Sequence, residues 1–103
     1  TNNEEAFRLA CKNGHLSILE KLIELEKRPG EKRINIHAKN EEAFKYACRN
    51  GHLSIVEKLL ELEKEPGRGI IDIHADNDEA FKQGFFNGHE SILEKLIELK
   101  RRN

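Results

Sequence analysis

The sequence predicts an all-α solenoid of three helix–turn–helix repeats with extended finger loops. Three observations carry this. One unit recurs with a period of 37 residues and no gap; each unit holds two stretches with apolar residues at helical spacing; and the first two units each close on Pro-Gly followed by Ile-x-Ile.

The period is visible in Asn13, Asn50 and Asn87, each of which opens Asn-Gly-His. Phe7, Phe44 and Phe81 keep the same step, as do Ile36-His37 and Ile73-His74. Residues 1–37 and 38–74 are identical at 25 of 37 aligned positions. A fixed period of this size marks a stacked repeat protein, in which each unit covers an apolar face of its neighbour. The expected organisation is one domain over 1–103, divided as 1–37, 38–74 and 75–103.

Within a unit, the first helix is expected to start at Asn3, Asn40 or Asn77, whose side-chain oxygen suits an N-cap, with acids in the first turn favoured by the helix dipole. Phe7, Ala10 and Cys11 form one apolar stripe at i, i+3 and i+4. Gly14 ends that helix because glycine adopts the left-handed C′ conformation without steric cost. The second helix is expected from Leu16 to about Lys27, with Ile18, Leu22 and Leu25 in one row, Leu19 and Ile23 in the next, and Glu20, Lys21 and Glu24 in water. Pro29-Gly30 breaks it, and Ile34 and Ile36 then alternate with polar residues as in a short extended segment. At the end of the chain, Lys100-Arg101-Arg102 suits a helix C-terminus.

These residues resemble the ankyrin repeat. The run Gly51-His52-Leu53-Ser54-Ile55-Val56-Glu57-Lys58-Leu59-Leu60 follows that family's "G-H-x-x-I/V-V-x-x-L-L" core, and Asn35-Ile36-His37-Ala38 and Asp72-Ile73-His74-Ala75 follow its "D-V-N-A"-like link. Glu5-Ala6-Phe7-Arg8 replaces the family's "T-P-L-H" opening, and a longer finger stretches the usual period of about 33 residues to 37. The tetratricopeptide repeat fits less well, since it lacks both the Ile-x-Ile finger and the Gly-His turn.

Composition narrows the function. A net charge of −1 gives no bulk electrostatic case for nucleic acid or anionic lipid. No apolar run approaches the roughly 20 residues of a membrane span, and no secretory signal is visible. The chain contains no Met, and is expected to be a piece of a longer protein. Neither a metal nor a cofactor site is predicted. His15, His52 and His89 are repeat copies, as are Cys11 and Cys48. Equivalent side chains on stacked helices stand about 8–10 Å apart, too far to share a zinc ion or a disulfide. The cysteines are expected to pack as small apolar groups, and the Gly-His histidines to bond backbone of the neighbouring loop. Unpaired thiols fit a reducing, intracellular (cytoplasmic) compartment. Ser17, Ser54 and Ser91 are repeat copies too, suited to capping, so the chain is not expected to be an enzyme.

A binding surface belongs where the units differ. Leu9, Tyr46 and Gln83 form one variable set, and Lys12, Arg49 and Phe86 the next. The fingers differ at Lys32, Arg33 and Arg68. Tyr, Arg and Phe are favoured at interface cores. Arg8, Lys45 and Lys82 follow Glu4, Glu41 and Asp78 at i+4, the spacing of ordinary ion pairs along a helix. The resemblance implies that first helices and fingers line a concave face, the usual binding surface. The prediction is a monomeric, non-enzymatic protein–protein interaction module that presents this face rigidly to another protein. A consensus-like or engineered scaffold without a native partner, or the recognition segment of a larger effector enzyme, are the alternatives. In the third unit Gly84-Phe85 replaces Ala-Cys, so that Phe85 and Phe86 either tuck under the last helix or await a neighbour.

Overall fold

Each Asn-Gly-His triplet turns one helix into the next. Gly14, Gly51 and Gly88 adopt φ of +73°, +74° and +71°, and the His15, His52 and His89 amides donate back to the carbonyls of Ala10, Ala47 and Gly84 at 2.9 Å. This is the glycine-centred helix end that a left-handed C′ residue permits. In the computed structural model, which describes residues 2–101, the helices are α1 Asn2–Asn13, α2 Leu16–Glu26, α3 Ala38–Arg49, α4 Leu53–Leu62, α5 Ala75–Phe86 and α6 Glu90–Lys100. No strand occurs among the described residues. Lys100 and Arg101 close α6 as expected; Arg102, the third basic residue expected there, lies outside the described residues.

The stack forms along the first helices, α3 packing against both α1 and α5, while each second helix covers its own first helix. The expected stripe is the core: Phe7, Phe44, Ala47, Cys11 and Cys48 are buried, and both thiols are free. Leu19, Ile55, Leu59, Leu62, Ile92 and Leu96 are buried fully from the second helices, each worth about 1.5–3 kcal/mol against exposure. Ile18 is 50% exposed, whereas Ile55 and Ile92, its equivalents, are 0% exposed. The equivalent positions differ because Ile55 and Ile92 belong to units stacked on a described unit before them, and Ile18 belongs to the first described unit.

The fingers, residues 27–37 and 64–74, open and close on turns with an irregular stem between them, and backbone donors of the stem meet carboxylates instead of a sheet ladder. The Ile34 amide donates to Glu26 Oε1 at 2.8 Å and the Asn35 amide to Glu4 Oε2 at 3.1 Å. In the second finger the Ile71 amide donates to Glu63 Oε1 at 2.8 Å and the Asp72 amide to Glu41 Oε2 at 2.7 Å. Ile34, Ile36, Ile71 and Ile73 are buried beneath. Buried backbone donors must find acceptors. Here an acid from the helix before the finger and one from the start of a first helix supply them.

Two sequence expectations are corrected by this arrangement. Asn40 and Asn77 do not cap: Lys39-Asn40-Glu41 and Asp76-Asn77-Asp78 adopt positive φ between 55° and 65°, a left-handed turn that Asn and Asp tolerate best. Asn3 lies inside α1. The cap is displaced because the Glu41 carboxylate is drawn to His37 and the Asp72 amide, which fixes the backbone there in the turned form. Nor do Arg8 and Lys45 form i,i+4 pairs. Arg8 Nε lies 3.4 Å from Glu42, and Lys45 pairs with Asp76, so both bridge successive helix pairs. Glu4 and Glu41, the partners expected at i+4, are engaged by finger amides.

The histidine expectation holds at His52 and His89, whereas His15 is exposed and its ring bonds no neighbouring loop among the described residues. His52 Nε2 donates to the Lys12 carbonyl and His89 Nε2 to the Arg49 carbonyl, each at 3.0 Å. Asn50 and Asn87 side-chain amides reach the same two carbonyls at 2.8 and 3.0 Å. The Asn and the His of one turn therefore satisfy a carbonyl in the last turn of the preceding first helix.

Candidate functional site

The outward side of α1, α3 and α5 repeats one pattern at i, i+4 and i+7. It reads Glu5-Leu9-Lys12, then Glu42-Tyr46-Arg49, then Glu79-Gln83-Phe86. Helical geometry places three such positions in one line along an axis, and the stack places the lines side by side. Between α3 and α5, Tyr46, Arg49 and Gln83 line one cavity of about 150 Å³ with Glu42 and Glu79. Between α1 and α3, Leu9, Lys12 and Tyr46 line its counterpart of about 280 Å³ with Glu5 and Glu42. Five of the six variable residues are thus brought together along two adjoining clefts. Phe86, the sixth, is 74% exposed and meets Phe85 edge-on at 5.8 Å. Phe85 is itself 71% exposed, so neither ring tucks beneath α6.

Charge on this face is partly consumed internally. The Arg8–Glu42 and Lys45–Asp76 pairs tie the walls of the clefts together. Hydrogen bonds from Lys45 and Asn40 hold the Asp76 carboxyl below its usual range. Gln83 Nε2 donates to Glu79 at 3.0 Å. Lys12 Nζ stands 5.1 Å from the Tyr46 ring centre, within cation–π range. Arg49 is exposed, and its guanidinium has no partner among the described residues.

The finger residues are placed elsewhere. Lys32 is exposed and lines a separate depression with Arg33. Arg33 is engaged by the next finger, donating to the Pro66 carbonyl at 2.6 Å and lying 3.4 Å from Glu65. Arg68 departs most from its expected surface position. Its side chain is 1% exposed, donating from Nη1 to the Ile34 carbonyl at 2.9 Å and from Nε to Glu65 at 3.1 Å, and pairing through Nη2 with Glu26. A guanidinium placed among three acceptors inside the stack holds two fingers together and is not presented to a ligand.

No group of three or more His, Cys, Asp or Glu that could hold a metal ion occurs among the described residues. Cys11 and Cys48 thiols are pushed up to about 12 by burial, which makes them poor nucleophiles. What the face offers is non-covalent: two clefts, an aromatic ring, a free guanidinium and an apolar edge. Sequence analysis identified the variable rows but not the Glu5, Glu42 and Glu79 row beside them; the i+7 relation to Lys12, Arg49 and Phe86 was the available signal.

Stacked helix pairs with Gly-His turns and finger loops, presenting one face of their first helices, define a helical repeat solenoid. The model for "Ankyrin repeats (3 copies)" matches residues 1–71, and the chain belongs to the ankyrin repeat family. An ankyrin repeat family protein from Legionella pneumophila, known from an X-ray structure, is similar at 40% identity with a TM-score of 0.76. The match covers 92% of this chain and 27% of that one, so the chain spans about a quarter of its structural relative. No curated protein matches the chain. Ankyrin repeats are generally protein–protein interaction modules, and the family is typically non-enzymatic. No helix among the described residues is long and apolar enough to cross a membrane.

Proposed function

We propose that this chain is a non-enzymatic protein-binding module, acting as a monomer in an intracellular compartment and using the first-helix face as its contact surface. The observation that supports this most is the meeting of Leu9, Lys12, Tyr46, Arg49 and Gln83, positions at which the units differ, along two adjoining clefts. The mechanism is presentation by a rigid frame. The Arg8–Glu42 and Lys45–Asp76 bridges fix the spacing of the first helices, so that little ordering cost falls on binding. Lys32, at the finger, extends the surface; Arg33 contributes through its aliphatic stem.

The test compares partner capture by the wild type, by a Tyr46→Ala, Arg49→Ala, Phe86→Ala variant, and by a Lys21→Ala, Glu57→Ala, Glu94→Ala variant on the exposed side of the second helices. Partners retained by the second variant and lost from the first support this face. Partners lost from the second-helix variant, or retained equally by both, place the contact elsewhere.

A further inference from the structure

The contact face is electrically polarised across its width. Glu5 of α1 and Glu79 of α5 stand on its finger side, while Lys12 of α1 and Arg49 of α3 stand on its turn side, at the position seven residues further along each first helix. Seven residues at 1.5 Å rise separate the two rails by about 10 Å. Between them lie Leu9, 48% exposed, and the half-buried Tyr46 ring. Glu42 cannot add fully to the acidic rail, because Arg8 lies 3.4 Å from it. Glu5, Lys12 and Arg49 have no ion-pair partner among the described residues. The pairs that knit the stack therefore leave unneutralised acid on one edge and unneutralised base on the other.

That gap has the width of one helix. An α-helix with its side chains is about 10–12 Å across, whereas neighbouring extended strands are only about 5 Å apart. Along the stack, successive first helices are about 8–10 Å apart, close to the rise of two helical turns in a partner lying across them. We propose that this face takes an amphipathic α-helix of a partner protein laid across α1, α3 and α5. The partner carries carboxylates at i and i+7 on the flank meeting Lys12 and Arg49, and basic groups on the flank meeting Glu5 and Glu79. Its apolar stripe rests on Leu9 and Tyr46. Beyond Arg49 the rail changes character, since Phe86 stands there with 74% of its surface exposed, and the partner places an apolar residue at i+14. Opposite charge on the two flanks fixes the direction in which the helix faces, because rotating it by half a turn sets like charges together.

This chemistry rests on the proposed use of the first-helix face, and the experiment separates the two. A displayed library of fully randomised peptides of about 20 residues, long enough to cross three repeats as a helix, is selected on the wild-type chain. Selected peptides are then measured against Tyr46→Ala and against Lys12→Glu/Arg49→Glu, each checked for an unchanged melting curve. The expected peptides are helical when bound, carry acids at i and i+7, lose about tenfold in affinity on the double reversal, and regain it when those acids become Lys. Peptides that require Tyr46 but show no acidic flank overturn the partner chemistry and leave the face standing. Peptides indifferent to all three positions, or a selection that yields none, overturn both.

Discussion

The Arg68 guanidinium is paired with the Glu26 carboxylate, joining the second finger to the end of α2, and both side chains are 5% exposed or less. Glu26 also accepts the Ile34 amide, while Arg68 donates to the Ile34 carbonyl. The amide and the carbonyl of one residue, in two successive peptide units, are thus both held by one ion pair. Truncating Arg68 leaves a buried carboxylate without its cation, a change that costs about 3–5 kcal/mol in comparable sites. Arg68→Ala is therefore expected to lower stability by that order in urea unfolding. Glu26→Gln keeps the acceptor for Ile34 and removes the charge, so the double variant Glu26→Gln/Arg68→Met should lose less than the two single changes added together. Strict additivity would show that the pair contributes nothing as a pair.

His37 makes the stack sensitive to pH. Its Nε2 faces the Arg68 carbonyl at 2.7 Å and its Nδ1 faces Glu41 at 2.8 Å. Both partners only accept, so both ring nitrogens donate and the imidazolium is favoured. Partial desolvation works against the charge, but the Glu41 carboxylate, the Arg68 carbonyl and the Gly69 backbone outweigh it, and the pKa is raised above 6.5. A group whose folded pKa exceeds its unfolded one contributes stability fully below the unfolded value and loses it as pH rises through the folded value. Wild-type stability should accordingly fall as pH increases upward from about 6.5. His37→Gln should flatten that part of the profile in denaturant titrations at fixed ionic strength; an unchanged slope would assign the dependence to another group.

Much of this architecture was legible because repetition gives each inference an internal copy. Gly14, Gly51 and Gly88 marked the turns, and the Phe7/Phe44 and Cys11/Cys48 positions marked the core, since helical spacing and burial follow the same period. The fingers were less legible. Ile34 and Ile36 announced extended backbone, but nothing local said that Glu26 and Glu4 would satisfy its amides from 8 and 31 residues away. The Asn40 cap failed for a similar reason, a local preference losing to a carboxylate engaged 31 residues away; at Asn77 the same turn forms with Asp78 facing His74. Arg68 was read as surface because charge in a finger ordinarily faces water, and two of its three acceptors, the Ile34 carbonyl and Glu26, come from a different repeat. On the contact face, the variable rows were visible in sequence, whereas the clefts between helices depend on packing.

The buried thiols give a direct measure of how tightly the stack closes. Cys11 and Cys48 are 0% exposed, and burial holds their pKa near about 12. Reaction needs a thiolate that is reachable, so both should resist Ellman's reagent in the native protein and react at a rate that follows opening of the stack. Added denaturant below the transition should accelerate labelling in step with the loss of stability. Rapid labelling at neutral pH without denaturant would mean that the first helices separate far more readily than this packing implies.

The three turn glycines share a backbone conformation but not their surroundings, which isolates the contribution of the stacking histidine. At Gly51 an added methyl would meet the His89 ring at 2.7 Å, and at Gly14 it would meet the His52 ring at 2.7 Å, whereas at Gly88 nothing lies within 4 Å. Alanine at any of them meets the penalty of positive φ, about 1 kcal/mol. At Gly14 and Gly51 it must also push a ring off the carbonyl it binds, Lys12 or Arg49, adding the loss of an interface hydrogen bond of about 0.5–1.5 kcal/mol. Thermal melts should therefore rank Gly88→Ala as the mildest of the three, with Gly14→Ala and Gly51→Ala lower and close to each other. Pairing Gly51→Ala with His89→Ala should remove the extra loss and leave the backbone penalty, because the methyl then has no ring to displace. Equal melting temperatures for all three single variants would show that the histidines only cover the turns and do not join one repeat to the next.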